Sequence, residues 1–207
     1  MLTHLRPALV LFVLLSALTG VAYPLAVTGI AQAVFPAQAN GSLVVRDGAV
    51  IGASLIGQNF SDPKYFWPRP SATSAADPAD STKTVPSPYN AASSTGSNLG
   101  PTSKALVERV TGDVEHQRAG NGMGTAAVPV DLVTTSGSGL DPHITPAAAK
   151  FQVGRVAETR GMTETDVQSL VDRMTEGRSL GFLGEPRVNV LALNLALDET
   201  AGKRPAQ

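Results

Sequence analysis

Two serines, an aspartate and a histidine stand close together in one glycine-rich segment, and hydrolases use these residue types. They are Ser136, Ser138, Asp141 and His143. A serine hydrolase needs a hydroxyl that a histidine activates, with a carboxylate orienting the histidine. However, the Gly-x-Ser-x-Gly turn is absent here, and triad members usually come from separate elements. We therefore predict that this segment is not catalytic.

The composition excludes several further kinds of chemistry. The 207 residues include no cysteine, which excludes disulfides, thiolate metal sites and a cysteine nucleophile. His116 and His143 are the only histidines beyond the apolar N-terminal stretch, so a three-histidine zinc site is not expected. The formal net charge is -1 and no basic block occurs, which disfavours nucleic acid as a partner. We predict no metal site and no enzymatic activity of the chain by itself.

The elements that position these residues begin with a long apolar segment. No Asp, Glu, Lys or Arg occurs between Pro7 and Val45, and about 20 apolar residues suffice to cross a bilayer. We predict a short cytoplasmic N-terminus over residues 1–7, a transmembrane helix over 8–34, and a soluble extracytoplasmic domain over 35–207.

A cleaved signal peptide is the alternative interpretation of this segment. Ala31-Gln32-Ala33 and Ala37-Gln38-Ala39 both fit small-x-small cleavage sites. The apolar region of a signal peptide runs over about 7–15 residues. The present segment is much longer, which favours a retained anchor.

The orientation of the anchor rests on few charges. Arg6 and the α-amino group precede the span, whereas Arg46 and Asp47 follow it and cancel each other. The positive-inside rule therefore favours a cytoplasmic N-terminus and a domain outside the membrane.

One face of the predicted helix carries small and hydroxylated residues. Ser16, Thr19, Gly20 and Tyr23 follow the spacing i, i+3, i+4 and i+7. Such a stripe lets another helix approach closely, although small residues are also common in membrane helices in general. We take Ser16, Gly20 and Tyr23 as candidate contacts with a partner, and we expect Pro24 to kink the helix.

About 160 residues follow the anchor, and their patterns predict a single α+β domain. Asp47-Gly48 is a favoured hairpin turn. Thr145 before Pro146 is a helix start, and Gly161 would end that helix. The predicted elements are a hairpin over 43–56, helices over 101–117, 146–160 and 163–177, and strands over 128–134 and 188–190. Residues 191–197 fit either a strand or a terminal helix, and we favour the helix. In the helix over 101–117 we expect Leu106, Val107 and Val110 to face inward.

A proline-rich excursion over residues 68–98 has few large apolar residues, which predicts irregular structure. The Tyr65-Phe66-Trp67 cluster precedes it, and we expect these rings to fill the core. The same region could also serve as an interface. The candidate partner contacts in the domain are Tyr65, Phe66, Arg69 and Asp141.

Two glycine-rich loops share a Gly-Ser-x-Leu-x-Pro pattern, at residues 96–101 and 137–142. Each precedes a predicted helix, whose free backbone N–H groups favour an anion or an acidic side chain. Capping of the chain's own backbone by Ser97 and Asp141 explains the same pattern without a ligand, and we prefer that interpretation. A third glycine-rich loop, 120–124, lacks the Lys and Ser/Thr of a phosphate loop.

Taken together, several motifs in one order resemble the C subunit of the Kdp potassium-transporting ATPase. They are Tyr23-Pro24, Tyr65-Phe66-x-x-Arg69-Pro70-Ser71, Tyr89-Asn90, Gly96-Ser97-Asn98-Leu99, Ser136 to His143, Ala148 to Arg155 with Gln152, Gly184 to Val190, and Leu193-Asn194. The resemblance covers nearly the whole chain.

The resemblance implies a non-catalytic accessory subunit of a bacterial membrane complex. Its partners would be a P-type ATPase subunit, a channel-like potassium-binding subunit and a small peptide subunit, and its role would lie in assembly.

The resemblance also implies a catalytic chaperone that raises the ATP affinity of the ATPase subunit. That role would fall to Ser136, Gly137, Ser138, Gly139 and Gln152. No cofactor is then bound firmly, and ATP binds only in a ternary complex with the ATPase subunit. Because ATP is cytoplasmic and the charges favour an external domain, assembly is the stronger expectation.

Two alternatives from other classes stay open at this stage. One is a free-standing, membrane-anchored binding protein or serine hydrolase. The other is a secreted protein with a mature N-terminus near Asn40.

Overall fold

The computed structural model describes residues 2–202. Residue 1 of the predicted cytoplasmic N-terminus and residues 203–207 of the predicted domain lie outside the described residues. The chain divides into two compact units, one up to Ala53 and one from Ser54 onward.

A single apolar helix from Leu5 to Val34 dominates the first unit. It consists of α1 (Leu5–Ala17), a π-helical turn (Leu18–Ala22) and α2 (Tyr23–Val34). None of the side chains of α1 and α2 is buried. A helix that is apolar on all sides and unburied is typical of a membrane span. The prediction of one transmembrane helix and an α+β domain is confirmed.

The π-helical turn lies directly before Pro24, where the sequence predicts a kink. Proline has no N–H and its ring crowds the preceding turn. The N–H of Tyr23 bonds to the carbonyl of Leu18, one residue further back than in an α-helix. The distortion is therefore taken up in the turn that precedes the proline.

A hairpin follows the short helix α3 (Pro36–Ala39). Its strands are β1 (Leu43–Arg46) and β2 (Ala49–Ala53), which pair antiparallel. Asp47 and Gly48 both have positive φ, 51° and 78°, as the favoured two-residue turn requires. The predicted hairpin is confirmed, although its second strand ends before the predicted Ile56.

As far as Gly202, the second unit contains two small antiparallel sheets and four α-helices. In chain order its elements are β3 (Ser74–Ala76), β4 (Thr84–Pro86), α4 (Lys104–Gly120), β5 (His143–Ile144), α5 (Pro146–Arg160), α6 (Glu164–Met174), β6 (Thr175–Glu176), β7 (Arg187–Asn189) and α7 (Val190–Gly202). Strands β3 and β4 form a short hairpin inside the proline-rich excursion. The other sheet has the order β5-β7-β6.

The core lies where α5, α6 and α7 pack together and against β7. It includes Phe66, Leu132, Ile144, Val156, Val167, Val188, Leu193 and Leu197. The expectation that aromatic rings fill the core is confirmed for Phe66, which is fully buried, and for Trp67, which is almost so.

The helices of the core begin and end where the sequence predicts caps. The Thr145 hydroxyl accepts a hydrogen bond from the Ala148 N–H, and Gly161 ends α5 in the left-handed conformation at φ 60°. Thr163 caps α6 in the same way through the Asp166 N–H. Helix α6 ends at Met174 rather than near Gly177, because the chain enters β6 there.

Three predictions, which concern two other segments, are wrong. The segment 128–134 is not a strand but contains a 3-10 turn, Val130–Leu132. Asp131 in that turn is buried and accepts hydrogen bonds from the N–H and the hydroxyl of Thr145, so a side chain, and not a strand ladder, holds the segment. Helix α4 starts at Lys104 rather than at Pro101, and Val107, predicted to face inward, is 57% exposed.

Candidate functional site

Two buried carboxamides hold the backbone of the aromatic segment Tyr65-Phe66-Trp67. Asn194 on α7 accepts from the Phe66 N–H at 2.8 Å and donates to the Phe66 carbonyl at 3.0 Å. Gln152 on α5 does the same for Trp67, at 2.7 and 3.1 Å. Each side chain thus satisfies both polar groups of one residue, as a neighbouring strand would.

Arg155 joins these groups into one network. Its guanidinium donates to Gln152 at 2.7 Å, to Asn121 at 2.9 Å and to the carbonyl of Tyr65 at 2.9 Å. It also lies over the Trp67 ring, 3.9 Å from its centroid. Burial lowers the pKa of Arg155 to about 10, so the group stays charged at neutral pH.

Trp67 also connects α4 to the core. The His116 ring stacks on the indole with a centroid distance of 5.1 Å. Gly120 at the end of α4 faces the same ring, and a Cβ atom there would lie 2.5 Å from it. Any larger residue at Gly120 would therefore displace α4 or the indole.

Tyr65, a predicted partner contact, is bonded within the domain. Its hydroxyl donates to Asp198 on α7 at 3.1 Å, and Arg160 lies over its ring at 4.9 Å. Arg160 also forms an ion pair with Asp198 at 2.9 Å. Tyr65 and Phe66 thus both stabilise the fold.

The structure brings two further predicted contacts, Arg69 and Asp141, into one ion pair of 2.9 Å. Arg69 also donates to the carbonyls of Thr134 and Thr135, both at 3.4 Å. Burial acts to raise the pKa of Asp141, but hydrogen bonds from His143 and the charge of Arg69 outweigh it and keep that pKa below its usual value.

The two similar glycine-rich loops pack against each other, which the sequence did not reveal. The Ser138 carbonyl accepts from the Thr95 N–H at 3.0 Å. A Cβ atom on Gly139 would lie 2.6 Å from the Thr95 carbonyl, and one on Gly96 would lie 3.1 Å from the Gly137 carbonyl. At Gly139 only glycine lets the backbones approach so closely, and at Gly96 a larger residue would push the neighbouring backbone aside.

The hydroxyls of Ser136 and Ser138 close turns of the second loop, whereas within residues 2–202 the hydroxyl of Ser97, the predicted cap of the first loop, forms no hydrogen bond. Ser136 accepts from the Gly139 N–H at 2.9 Å, and Ser138 accepts from the Leu140 N–H at 3.2 Å. Asp141 accepts from the His143 N–H at 3.0 Å, as the internal-capping interpretation predicts. Across residues 2–202, no hydrogen bond joins either serine hydroxyl to His143.

Gln152 stands apart from the loop that the resemblance pairs with it. The side chain of Gln152 is fully buried and bonds to Trp67, Ala148 and Arg155. Gly137 and Ser138, in contrast, are exposed at the surface. In the described part of the chain, no hydrogen bond links Gln152 to residues 136–139.

In the anchor, the predicted contacts Ser16, Gly20 and Tyr23 are all exposed. The hydroxyl of Thr19 bonds back to the carbonyl of Leu15 at 2.7 Å, which satisfies it within the helix. A Cβ atom on Gly20 would meet nothing within 4 Å, so that side of the helix is open to a partner.

A cleft of about 340 Å³ lies between the aromatic segment and α4. Trp67, Arg109, Asp113 and His116 are among its lining residues. Arg109 pairs with Asp113 at 2.5 Å, and burial raises the pKa of Asp113 against the pull of Arg109. Within residues 2–202, no group of three or more His, Asp or Glu is arranged to hold a metal ion.

Comparison with known proteins identifies the family. The sequence model of the family described as "KdpC: K+-transporting ATPase, c chain" matches residues 5–199. The chain belongs to the KdpC family. The matched region includes the apolar helix as well as the domain, so the KdpC family shares both parts.

Curated relatives named "Potassium-transporting ATPase KdpC subunit" match this chain end to end. The one from Rhodopseudomonas palustris strain BisB5 is 67% identical over 98% of this chain and 100% of its own length. The one from Bradyrhizobium diazoefficiens is 65% identical, again over 98% of this chain and 100% of its own length. The one from Methylorubrum populi is 65% identical over 97% of this chain and 99% of its own length.

The sequence reasoning did not foresee the buried network of this KdpC-family domain. Arg155 and Asn194 were noticed only as parts of motifs. A usable signal was present for Asn194, because it is a polar residue within an otherwise apolar stretch of a core helix. Polar groups at such positions are normally satisfied by specific partners.

Proposed function

We propose that the chain is a non-catalytic accessory subunit of a bacterial K+-transporting ATPase, in which it is needed for assembly. The observation that carries this proposal is the family match over residues 5–199, which spans the anchor and the domain together. The other subunits would be a P-type ATPase subunit, a channel-like potassium-binding subunit and a small peptide subunit. The chain would lie in the cell membrane as a single-pass protein with the domain outside.

The geometry of the polar groups supports a non-catalytic role. A nucleophile needs a base within hydrogen-bond reach. Instead, Ser136 and Ser138 close backbone turns, and Asp141 is engaged by Arg69 and His143. These groups are used to hold loops in place.

We further propose that any influence of Gln152 on the ATP affinity of the ATPase subunit acts through the aromatic segment. Its carboxamide is occupied by the Trp67 backbone and by Arg155. Direct contact with a nucleotide would require these buried bonds to break. This supports the proposal that ATP binds only in a ternary complex, held by the ATPase subunit.

Co-purification tests the assembly role. The full chain, carrying an affinity tag, is extracted from its native membrane in mild detergent, and bound proteins are identified by mass spectrometry. We expect two larger membrane subunits in constant ratio to the chain. With the tag moved to one of those subunits, deleting the gene for the chain should leave them unable to purify as a complex.

A matched control excludes association after lysis. Membranes with the tagged chain but without the other subunits are solubilised separately and mixed with membranes that hold only the others. Recovery of the tagged chain alone from native membranes would contradict the proposal. Esterase activity that Ser138→Ala abolishes would favour the hydrolase alternative instead.

A further inference from the structure

The turn between β6 and β7 exposes three large apolar side chains in four residues. Leu180 is 83% exposed, Phe182 is 68% exposed and Leu183 is 51% exposed. We call these three residues the apolar tip. Single exposed apolar residues are ordinary on protein surfaces, but a contiguous group of them usually marks an interaction site.

Internal hydrogen bonds satisfy several backbone groups of the apolar tip and its turn. The N–H of Ser179 donates to the Leu183 carbonyl, and the N–H of Leu183 donates to the Ser179 carbonyl, both at 2.9 Å. The N–H groups of Gly181 and Phe182 donate to the carbonyls of Arg178 and Ser179. The turn can therefore lose its surrounding water without leaving these donors unpaired.

The conformation of the apolar tip is fixed at a cost. Leu180 has a positive φ of 55°, a left-handed conformation that a branched side chain rarely adopts. A turn that holds one strained backbone conformation is suited to a surface of complementary shape. A lipid interface is fluid and would not require that shape.

The charges around the apolar tip are also balanced. Arg178 pairs with Glu185 at 2.6 Å, and Arg187 pairs with Glu176 at 2.9 Å. Loops that bind lipid surfaces keep unpaired basic residues for anionic headgroups. Paired charges around an apolar centre instead resemble the polar rim of a protein–protein interface.

We propose that the apolar tip docks into an uncharged, apolar recess on another subunit of the ATPase, outside the membrane. Phe182, the aromatic residue of the tip, is the anchor that fills the recess. This inference rests on the proposed function, because it requires that the chain assembles with other subunits.

The absence of cysteine from the chain allows a site-specific test. Phe182→Cys is introduced into the full chain, and its labelling by a water-soluble maleimide is timed in two preparations. One is the chain alone in liposomes, and the other is the co-purified complex. Ser81→Cys, exposed in the turn between β3 and β4, is the matched control.

We expect labelling of Phe182→Cys to be at least about tenfold slower in the complex than in liposomes, because an interface anchor is desolvated. Labelling of Ser81→Cys should be the same in both. A photo-crosslinker attached at position 182 should link the chain to one of the larger subunits.

Other results separate the possible failures. Slow labelling of Phe182→Cys in liposomes without partners would place the tip in lipid and overturn the inference. Equally fast labelling in both preparations, or crosslinking only to a second copy of the chain, would also overturn it. If the chain fails to co-purify with any subunit, the proposed function falls and this inference falls with it.

Discussion

A carboxamide carries one donor group and one acceptor, and Gln152 uses both on the backbone of a single residue, Trp67. It is long enough to reach across the core from α5, and its acceptor oxygen also takes a bond from Arg155. Asn194 repeats the arrangement one residue earlier, on Phe66. At the residue scale, two side chains therefore bond the backbone N–H and carbonyl groups of the aromatic segment. In a sheet, a neighbouring strand would form these bonds.

Gln152→Leu should therefore destabilise the domain strongly. The substitution keeps a similar volume but leaves the Trp67 N–H and carbonyl unpaired, which costs about 2–4 kcal/mol. Trp67 is the only tryptophan in the sequence, so its fluorescence follows the segment directly. Urea unfolding of the full chain in detergent, monitored by this emission, measures the loss.

Gln168→Leu is the matched control for Gln152→Leu. Gln168 bonds to Asp172 one turn along α6, at the surface, so its loss should change stability by only about 0.5 kcal/mol. Equal unfolding midpoints for Gln152→Leu and the unmodified chain would show that the carboxamide does not hold the segment.

At the element scale, the π-helical turn Leu18–Ala22 coincides with the stripe of small residues. Thr19 and Gly20 lie inside this turn, and Tyr23 follows it. A π-turn widens the helix locally and is frequent at functional positions. The irregularity that Pro24 imposes is thus located where the sequence predicts a partner helix.

Gly20→Leu should weaken assembly, because a large side chain would prevent the close approach of a second helix. We expect a loss of about 1–2 kcal/mol in the free energy of assembly, so recovery of the complex should fall by a factor of about 5–30. Quantitative co-purification from native membranes measures the change.

Gly29→Leu provides the comparison for Gly20→Leu in the same helix. A Cβ atom at either glycine meets nothing within 4 Å of its own chain, so neither change disturbs the helix itself. An equal effect of both substitutions on recovery would rule out a specific role for the stripe.

The elements that the sequence predicted well are those whose ends are set by local chemistry. Helix α5 is predicted because a threonine cap, a first-turn proline and a terminal glycine act within a few residues of chain. Segment 128–134 was mistaken for a strand because its apolar residues alternate plausibly. Asp131 binds Thr145, which is distant in sequence, and no local pattern announces that contact.

In the candidate site, too, contacts between neighbouring residues could be predicted and contacts between distant residues could not. The turn-closing role of Asp141 follows from its position two residues before His143, and it was anticipated. The Arg69–Asp141 pair joins residues far apart in the chain, so the sequence could nominate both but could not bring them together. Likewise, no local sequence pattern predicts the contact between the two glycine-rich loops.

At the scale of the whole molecule, one span and one domain leave a single topological question, the side of the membrane on which the domain lies. Ser42→Cys answers it, because no other cysteine is present. We expect an impermeant maleimide to label position 42 from outside intact cells stripped of the outer membrane. The reason is that Arg6 precedes the span and no net positive charge follows it closely.

The same variant in inside-out vesicles serves as the control for Ser42→Cys. There the residue should be protected until detergent is added. Labelling in vesicles but not in cells would reverse the topology, and it would place the domain on the side where ATP is found.

Of the residues in α4, all of which are described, only Gln117 is buried. The helix contacts the core through the ring of His116 and the backbone of Gly120, which both lie against the Trp67 indole, and through Arg109, which donates to the Val133 carbonyl. Segments with so few buried contacts open locally while the remainder stays folded. We therefore expect α4 to open before the rest of this domain. Its opening would expose the face of the Trp67 indole to solvent while α5, α6 and α7 stay folded together.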